Sequence, residues 1–350
     1  MTAQEEDKGE TASSRAVDAP GIRPRRRKVF LVWIPVATVI VIGCVALLLL
    51  LPIEARDKAL RAITDGILLG GVYALIALGV VVVFKSSKVF NMAHGGVLMF
   101  VAYFIWWLLA SVRLPLWASL IIVALASVAI ALAIDRFIMR RMIGQSGLTT
   151  FFLTLVLGFS VIQGIAILIF KGSPQIMPKI FPSGSLSVGS LDFSFTWISA
   201  FVVATLMFLM FVGYFRFTRG GLAMRAVSES HVISQSVGIS VKTISAVSWI
   251  VGCLSAAAAG VLLGSMFAVT PDIGSFAIVR ALPVLLLGGM ESIPGAFIGA
   301  FIIGIAESLT GTYVDPHISG FRELLPYVLI VIILILRPHG LFGLREIRRI

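Results

Sequence analysis

Long apolar runs decide what this chain can be. Ten of them cross the 350-residue sequence: Val29–Leu51, then about 62–84, 95–111, 116–138, 148–170, 196–217, 244–269, 277–290, 294–313 and 324–337. At roughly 1.5 Å per residue, the twenty-three residues of the first run span a hydrocarbon core of roughly 30 Å with some tilt. Two of the ten are short enough to be partial or re-entrant. In lipid every backbone amide must be paired within the protein, so such runs are helices. The expected fold is all-α, a polytopic transmembrane helix bundle of about ten spans including partial or broken helices. Composition agrees, with 59% hydrophobic and 13% charged residues where a soluble domain carries about 25% charged.

Residues 1–28 form a polar stretch of acids and small residues with Pro20, Gly21 and Pro24. Without apolar periodicity it is expected to be a disordered cytosolic tail. Arg25-Arg26-Arg27-Lys28 follows, directly before the additional N-terminal span at 29–51. Val41-Ile42-Gly43-Cys44 loosely resembles a lipoprotein cleavage box. The apolar run continues well past it without a clear small-residue cleavage site, so the span is expected to be retained.

The net charge is 28 − 17 = +11, and its placement orients the chain. With a cytosolic N-terminus and alternating runs, eighteen Lys and Arg fall at inner boundaries and eight at outer ones. Arg280 and Arg322 are among the outer eight. Basic charge is therefore mostly topological, and nucleic acid is excluded as a partner. Two cysteines in apolar runs, Cys44 and Cys253, exclude a disulfide scaffold and a zinc site. Four scattered histidines leave no metal site to expect, and no cofactor is called for.

The longest outer loop, 171–195, is rich in Gly, Ser and Pro. The inner stretch 218–243 says more. Gly220-Gly221 is expected to break the preceding span, and a short amphipathic helix fits Leu222–Val237, stopped by Gly238. Ala226, Val227, Ile233 and Val237 form its candidate apolar stripe. Such a helix lies on a membrane surface or docks a cytosolic partner.

Two segments look like interrupted helices. In Asn91-Met92-Ala93-His94-Gly95-Gly96, Asn91 suits an N-cap, with His94 able to reach back. In Gly288-Gly289-Met290-Glu291-Ser292-Ile293-Pro294-Gly295, Pro294 suits a first helical turn. Paired interruptions in the two halves point to a transport pathway. Gly66/Gly70, Gly260/Gly264 and Gly295/Gly299 have the spacing of close helix packing. His94 reads first as a structural group and second as a pathway group. Glu307, inside an apolar run, must face the bundle or water and reads as a hydrogen-bonded packing group before a substrate contact. Tyr73 and Gln163 are further pathway candidates. Asp65 reads as solvated near an outer end, Asp135-Arg136 as an inner helix end, and Pro283 as the mark of a broken helix. Phe104, Trp106, Trp107 and Trp117 suit an interfacial belt or a lipid-facing surface.

Motifs follow in order along residues 60–345. They are Gly70-Gly71-Val72-Tyr73-Ala74-Leu75-Ile76-Ala77-Leu78-Gly79, Asn91-Met92-Ala93-His94-Gly95, Gly221-Leu222-Ala223-Met224-Arg225-Ala226, Val237-Gly238-Ile239 and Ala258-Ala259-Gly260-Val261-Leu262. Leu287-Gly288-Gly289, Ser292-Ile293-Pro294-Gly295-Ala296, Gly304-Ile305-Ala306-Glu307 and Arg337-Pro338-His339-Gly340-Leu341-Phe342-Gly343 complete the set. In these the chain resembles the inner-membrane permease subunits of branched-chain amino-acid ABC importers, on the LivH-type side.

The resemblance implies a transport subunit without an ATPase site of its own, and no G-x-x-x-x-G-K-[ST] phosphate loop occurs here. It implies two cytosolic ATP-binding subunits, a second related permease subunit (or a second copy) and an extracytoplasmic solute-binding protein, assembled in membrane lipid. The implied location is the bacterial plasma (inner) membrane, multi-pass, with both termini cytosolic. Loop 218–243 would be the ATPase-coupling element, with Gly221, Arg225, Glu229 and Gly238 as its key residues. Tyr73, Asn91, His94, Gly95, Gly288, Gly289, Ser292 and Pro294 are the candidate substrate-pathway residues. Gly96 stands where many relatives carry Glu, Lys85-Ser86-Ser87-Lys88 replaces a more glycine-rich connector, and Met290-Glu291 replaces small residues. These departures keep open a urea or short-amide cargo for the same machine. An ion-coupled transporter or channel acting alone is disfavoured by ionisable intramembrane residues that look few and unpaired.

Overall fold

The structure, a computed structural model, describes residues 52–142, 144–189, 191–229, 231–336 and 340–342. The expected tail, the span at 29–51 with Cys44, and most of the Arg337–Gly343 motif lie outside the described residues. From Ile53 onward the chain forms one unit. Its elements are α1 (Ile53–Ser87), α2 (Ala93–Ala110), α3 (Leu116–Ala133), α4 (Gly147–Val156), α5 (Gln163–Phe170), β1 (Ser185–Val188) and β2 (Leu191–Ser194). They continue with α6 (Phe195–Phe217), α7 (Arg219–Glu229), α8 (His231–Ser236), α9 (Val241–Met266), α10 (Ile273–Gly288), α11 (Ile293–Tyr313) and α12 (Phe321–Leu336). A π-helical turn, Ile134–Ile138, extends α3, and another, Leu157–Ile162, fuses α4 to α5.

Seven helical stretches among the described residues are long and apolar enough to cross a membrane: α1, α2, α3 with its extension, α4–α5, α6, α9 and α11. The count of about ten is not reproduced. One expected span lies outside the described residues, and α10 and α12 have only 16 residues each. The all-α description also needs an amendment: in the expected outer loop, β1 and β2 pair as an antiparallel hairpin with Ser185 opposite Ser194.

Helix starts follow local chemistry. Side chains of Ser146, Ser240 and Ser292 cap α4, α9 and α11, each accepting from the amide three residues on. Pro283 does not break its helix, because α10 runs unbroken from Ile273 to Gly288. A proline removes one N–H donor, and the helix continues past it to Gly288. The break falls instead at Gly289, whose φ of +92° suits glycine.

Burial separates centre from periphery. In the most apolar window of α1, 89% of residues are buried, against 28% for α3 and 22% for α6. Lipid tails are as apolar as leucine, so helices associate here through close packing rather than through escape from water. The glycine spacings serve this. A Cβ at Gly66 would strike the backbone of Gly304 and Ile305, and one at Gly304 would strike Gly66 and Gly70. Gly299 faces the Val284 carbonyl and Gly260 that of Leu98. α11 accordingly buries Gly295, Ala296, Gly299, Ala300, Ile303, Gly304 and Glu307, one face at steps of three and four.

Candidate functional site

At the first interrupted segment, the Ala93 amide donates to Asn91 Oδ1 at 3.0 Å, but the N-cap position of α2 is Met92, so Asn91 holds the helix opening from one residue further out than expected. The Met92 amide donates to Thr154 Oγ1 at 3.2 Å, which pins the same opening to α4. Asn91 and His94 are both buried. The His94 ring lies against Gly79 of α1, beside Ser255 of α9, and its Nε2 has no hydrogen-bond partner. Gly95 meets the backbone of Gly274, and Gly96 meets that of Gly158 in the π-helical turn. No side chain fits at Gly96, so the glycine found there is a packing requirement of this chain.

At the second segment, Gly288 packs against the backbone of Gly295. The Gly295 amide donates to Ser292 Oγ at 3.0 Å, with Pro294 in the first turn of α11. The Leu341 amide donates to the Leu287 carbonyl at 2.7 Å, anchoring residues 340–342 beneath the turn. The flanks of the two segments are joined by an ion pair, Lys88 Nζ to Glu291 Oε1 at 2.6 Å.

Tyr73 belongs elsewhere. Its hydroxyl donates to Glu307 Oε2 at 2.8 Å, while Arg280 Nε donates to Glu307 Oε1 at 2.8 Å and Arg322 Nε lies 3.4 Å from the same oxygen. Arg280 also stacks over the Phe276 ring, 3.4 Å from its centroid. One carboxylate therefore ties α1, α10, α11 and α12. This corrects three expectations. Arg280 is not a boundary charge but lies buried within α10, the ionisable groups Arg280 and Glu307 are paired rather than lone, and Asp65 is half-buried near Arg61 and Arg322. Glu307 is a hydrogen-bonded group of the bundle interior, in the first of the two senses its position allowed. Asp135 is buried too, held by Arg140 at 2.9 Å and by the Ser245 hydroxyl of α9 at 2.7 Å. Gln163 donates to the Pro271 carbonyl at 3.1 Å.

Loop 218–243 forms two helices, α7 and α8, rather than one. The preceding span ends at Thr218, whose Oγ1 accepts from the Gly221 amide at 3.1 Å. Gly221 abuts the Phe215 backbone, letting α7 fold back on α6. The expected stripe divides. Val227 is buried with Gly221 and Met224, whereas Ile233 and Val237 are 66% and 69% exposed and Leu222 61%. Arg225 and Glu229 face outward as well. Gly238 ends α8 at φ +84°, its amide donating to the Gln235 carbonyl at 3.0 Å.

A sequence model of the branched-chain amino acid transport system permease component matches residues 62–336. The chain belongs to this permease family. Among relatives, the high-affinity branched-chain amino acid transport system permease protein BraD of Pseudomonas aeruginosa is 30% identical over 305 residues, covering 83% of this chain and 98% of its own length. LivH of Escherichia coli, described in the same words, is 30% identical over 83% of this chain and 97% of its own length. A probable branched-chain amino acid transport permease protein LivH of Methanocaldococcus jannaschii is 25% identical over 82% of this chain. No solved structure matches. The permease is a multi-pass membrane protein of a transport family whose members are permease components.

Sequence reading missed Arg280 as the partner of Glu307, Asp135 as a buried anchor, and the Lys88–Glu291 pair. Only Arg280 carried a local signal, a lone cation inside an apolar run, where a charge needs a partner.

Proposed function

We propose that this permease is the transmembrane subunit of an ATP-binding-cassette importer that moves branched-chain or related amino acids into the cytosol. The observation that carries the reading is kinship over nearly the whole body of the chain, 83% of it against 98% of BraD. Separate ATP-binding subunits supply the energy, an extracytoplasmic binding protein delivers the solute, and a second permease subunit completes the pore. The sequence charge count supports cytosolic termini in a bacterial inner membrane. Loop 218–243 is the docking element for the ATP-binding subunit, with Gly221 and Gly238 setting the angles of α7 and α8. Arg225, Glu229, Leu222, Ile233 and Val237 offer the contact surface. The openings at Asn91–Gly95 and Gly288–Pro294 border the substrate pathway, while Tyr73 stands apart from both in the buried Glu307 cluster.

Uptake of labelled leucine and labelled urea by proteoliposomes holding the complete complex tests this reading. Saturable, ATP-dependent leucine uptake is expected. Urea uptake without leucine uptake would change the cargo, and leucine transport by the permease alone would remove the ABC assignment.

A further inference from the structure

The docking loop and the α10–α11 break both come near the charged end of α1, and one ion pair ties that end to the break. Lys85, in the last turns of α1, lies within electrostatic reach of Arg225 and Glu229 on α7 and of Glu291 in the turn. Lys88, three residues on, closes the 2.6 Å pair with Glu291. Glu291 follows Gly289 and precedes the cap of α11, in the turn that the Leu341 amide anchors from the other side.

Lys88 holds φ +56°, in the left-handed region that non-glycine residues rarely adopt. Glycine would sit there without strain, yet the position carries a lysine whose ammonium makes the pair. Lys88 and Glu291 are both partly exposed, and an exposed ion pair contributes little to stability. The left-handed conformation belongs to the end of α1, where the Lys88 amide donates to the Phe84 carbonyl at 2.7 Å, a common way for a helix to stop; the ion pair, rather than the backbone, is what directs attention to function.

We propose that Lys88 and Glu291 form a positioning link that transmits movement of loop 218–243 through the end of α1 to the α10–α11 break. The link rests on the reading of that loop as the docking element. α7 packs against α1 and α9, so a shift of the loop reaches Lys88 through α1, and the pair delivers it to the turn. A partly exposed pair suits this role because its paired and unpaired states lie close in free energy, as a two-state element requires.

The test measures labelled leucine imported per ATP hydrolysed in the complete complex. Lys88→Gly relieves the backbone and removes the ammonium, and Glu291→Gln keeps the shape and removes the charge. Each is expected to lower the ratio roughly three- to tenfold, with membrane levels and thermal stability unchanged, and the double variant should be no worse than the worse single one. A purely structural lysine predicts a neutral or stabilising Lys88→Gly with an unaltered ratio. That result, or losses that multiply in the double variant, overturns the link. Amide hydrogen exchange of the purified full chain gives a readout independent of transport. Glu291→Gln should speed exchange in both 288–292 and 219–229, and a change confined to the turn refutes the proposal. If the unaltered complex imports no leucine, the transport reading fails by itself while the exchange measurement still decides the link.

Discussion

Around Glu307 four helices converge on one fully buried carboxylate, whereas loop 218–243 leaves Leu222, Ile233 and Val237 between 61% and 69% exposed. The two regions spend polar and apolar groups in opposite ways. In the interior every lone pair of a charge must be met by a donor, because burial without a partner is costly. In the loop, apolar side chains stand uncovered beside Arg225 and Glu229, an arrangement that suits a surface awaiting a partner. The first region is organised to stay assembled and the second to be engaged, so substitutions should divide cleanly between stability and transport.

The largest effect belongs to the interior. Glu307→Leu leaves Arg280 buried without its carboxylate and Tyr73 without its acceptor. Breaking a buried pair on one side costs about 3–5 kcal/mol, so thermal unfolding in detergent should show a large loss of stability. Replacing both partners with apolar residues is often nearly neutral, so Arg280→Met with Glu307→Leu should recover part of the loss, and adding Tyr73→Phe, which removes the hydroxyl left without an acceptor, should recover more. A double variant as unstable as the single one would show that the ion pair is not what holds these helices.

A smaller effect is expected where the interior relies on shape alone. Gly304→Val forces a side chain into the backbone of Gly66 and Gly70. Overpacking of this kind costs about 1–3 kcal/mol, read as a lowered unfolding temperature in the same assay. Gly213, with open space around its missing Cβ on α6, is the control. Gly213→Ala should be neutral or stabilising by up to about 1 kcal/mol. Equal losses at Gly304 and Gly213 would mean that the α1–α11 contact is not specially tight.

These contrasts also separate what the sequence reveals from what it conceals. Each apolar run that falls on described residues became a helix, because hydropathy over twenty residues reports the solvent a segment prefers. Pro294 took the first-turn place its residue type suggested, and Asn91 holds the opening of α2 from beside the N-cap position, since such places depend on neighbours two or three positions away. Hydropathy does not report how a helix is rotated or what it meets. Arg280 therefore looked like a boundary charge, although Glu307 lies only 27 positions on. Lys88 and Glu291 are 203 positions apart, with no local pattern to connect them. The hairpin was legible in principle, because Ser185-Leu186-Ser187-Val188 and Leu191-Asp192-Phe193-Ser194 alternate around Gly189. Its Gly and Ser content suggested only a loop. In place of the single docking helix two short ones form, α7 and α8, and the expected stripe divides between them. Val227 turns toward the bundle while Ile233 and Val237 do not, which periodicity over one straight helix could not distinguish.

The smallest stability effect, and the sharpest functional one, is expected at Gly238. Its φ of +84° is closed to proline, which is held near −65°, and its amide donates to Gln235, a bond proline cannot make. Gly238→Pro must therefore redirect the chain between α8 and α9. Nothing lies within 4 Å of the missing Cβ, so the cost is backbone strain and one lost hydrogen bond, relieved within the exposed loop rather than passed to the bundle, and the loss of global stability should stay below those at Glu307 and Gly304. Transport should nevertheless be lost, because α8 would no longer be aimed, and Glu229→Lys should act in the same direction by reversing one exposed charge of the contact surface. Membrane level, unfolding temperature and ATP-dependent leucine uptake measured on the same preparations decide the matter. Normal uptake in both variants would take the loop out of the coupling path. A large loss of stability in Gly238→Pro would show instead that the loop belongs to the packed interior and that the two regions are not distinct.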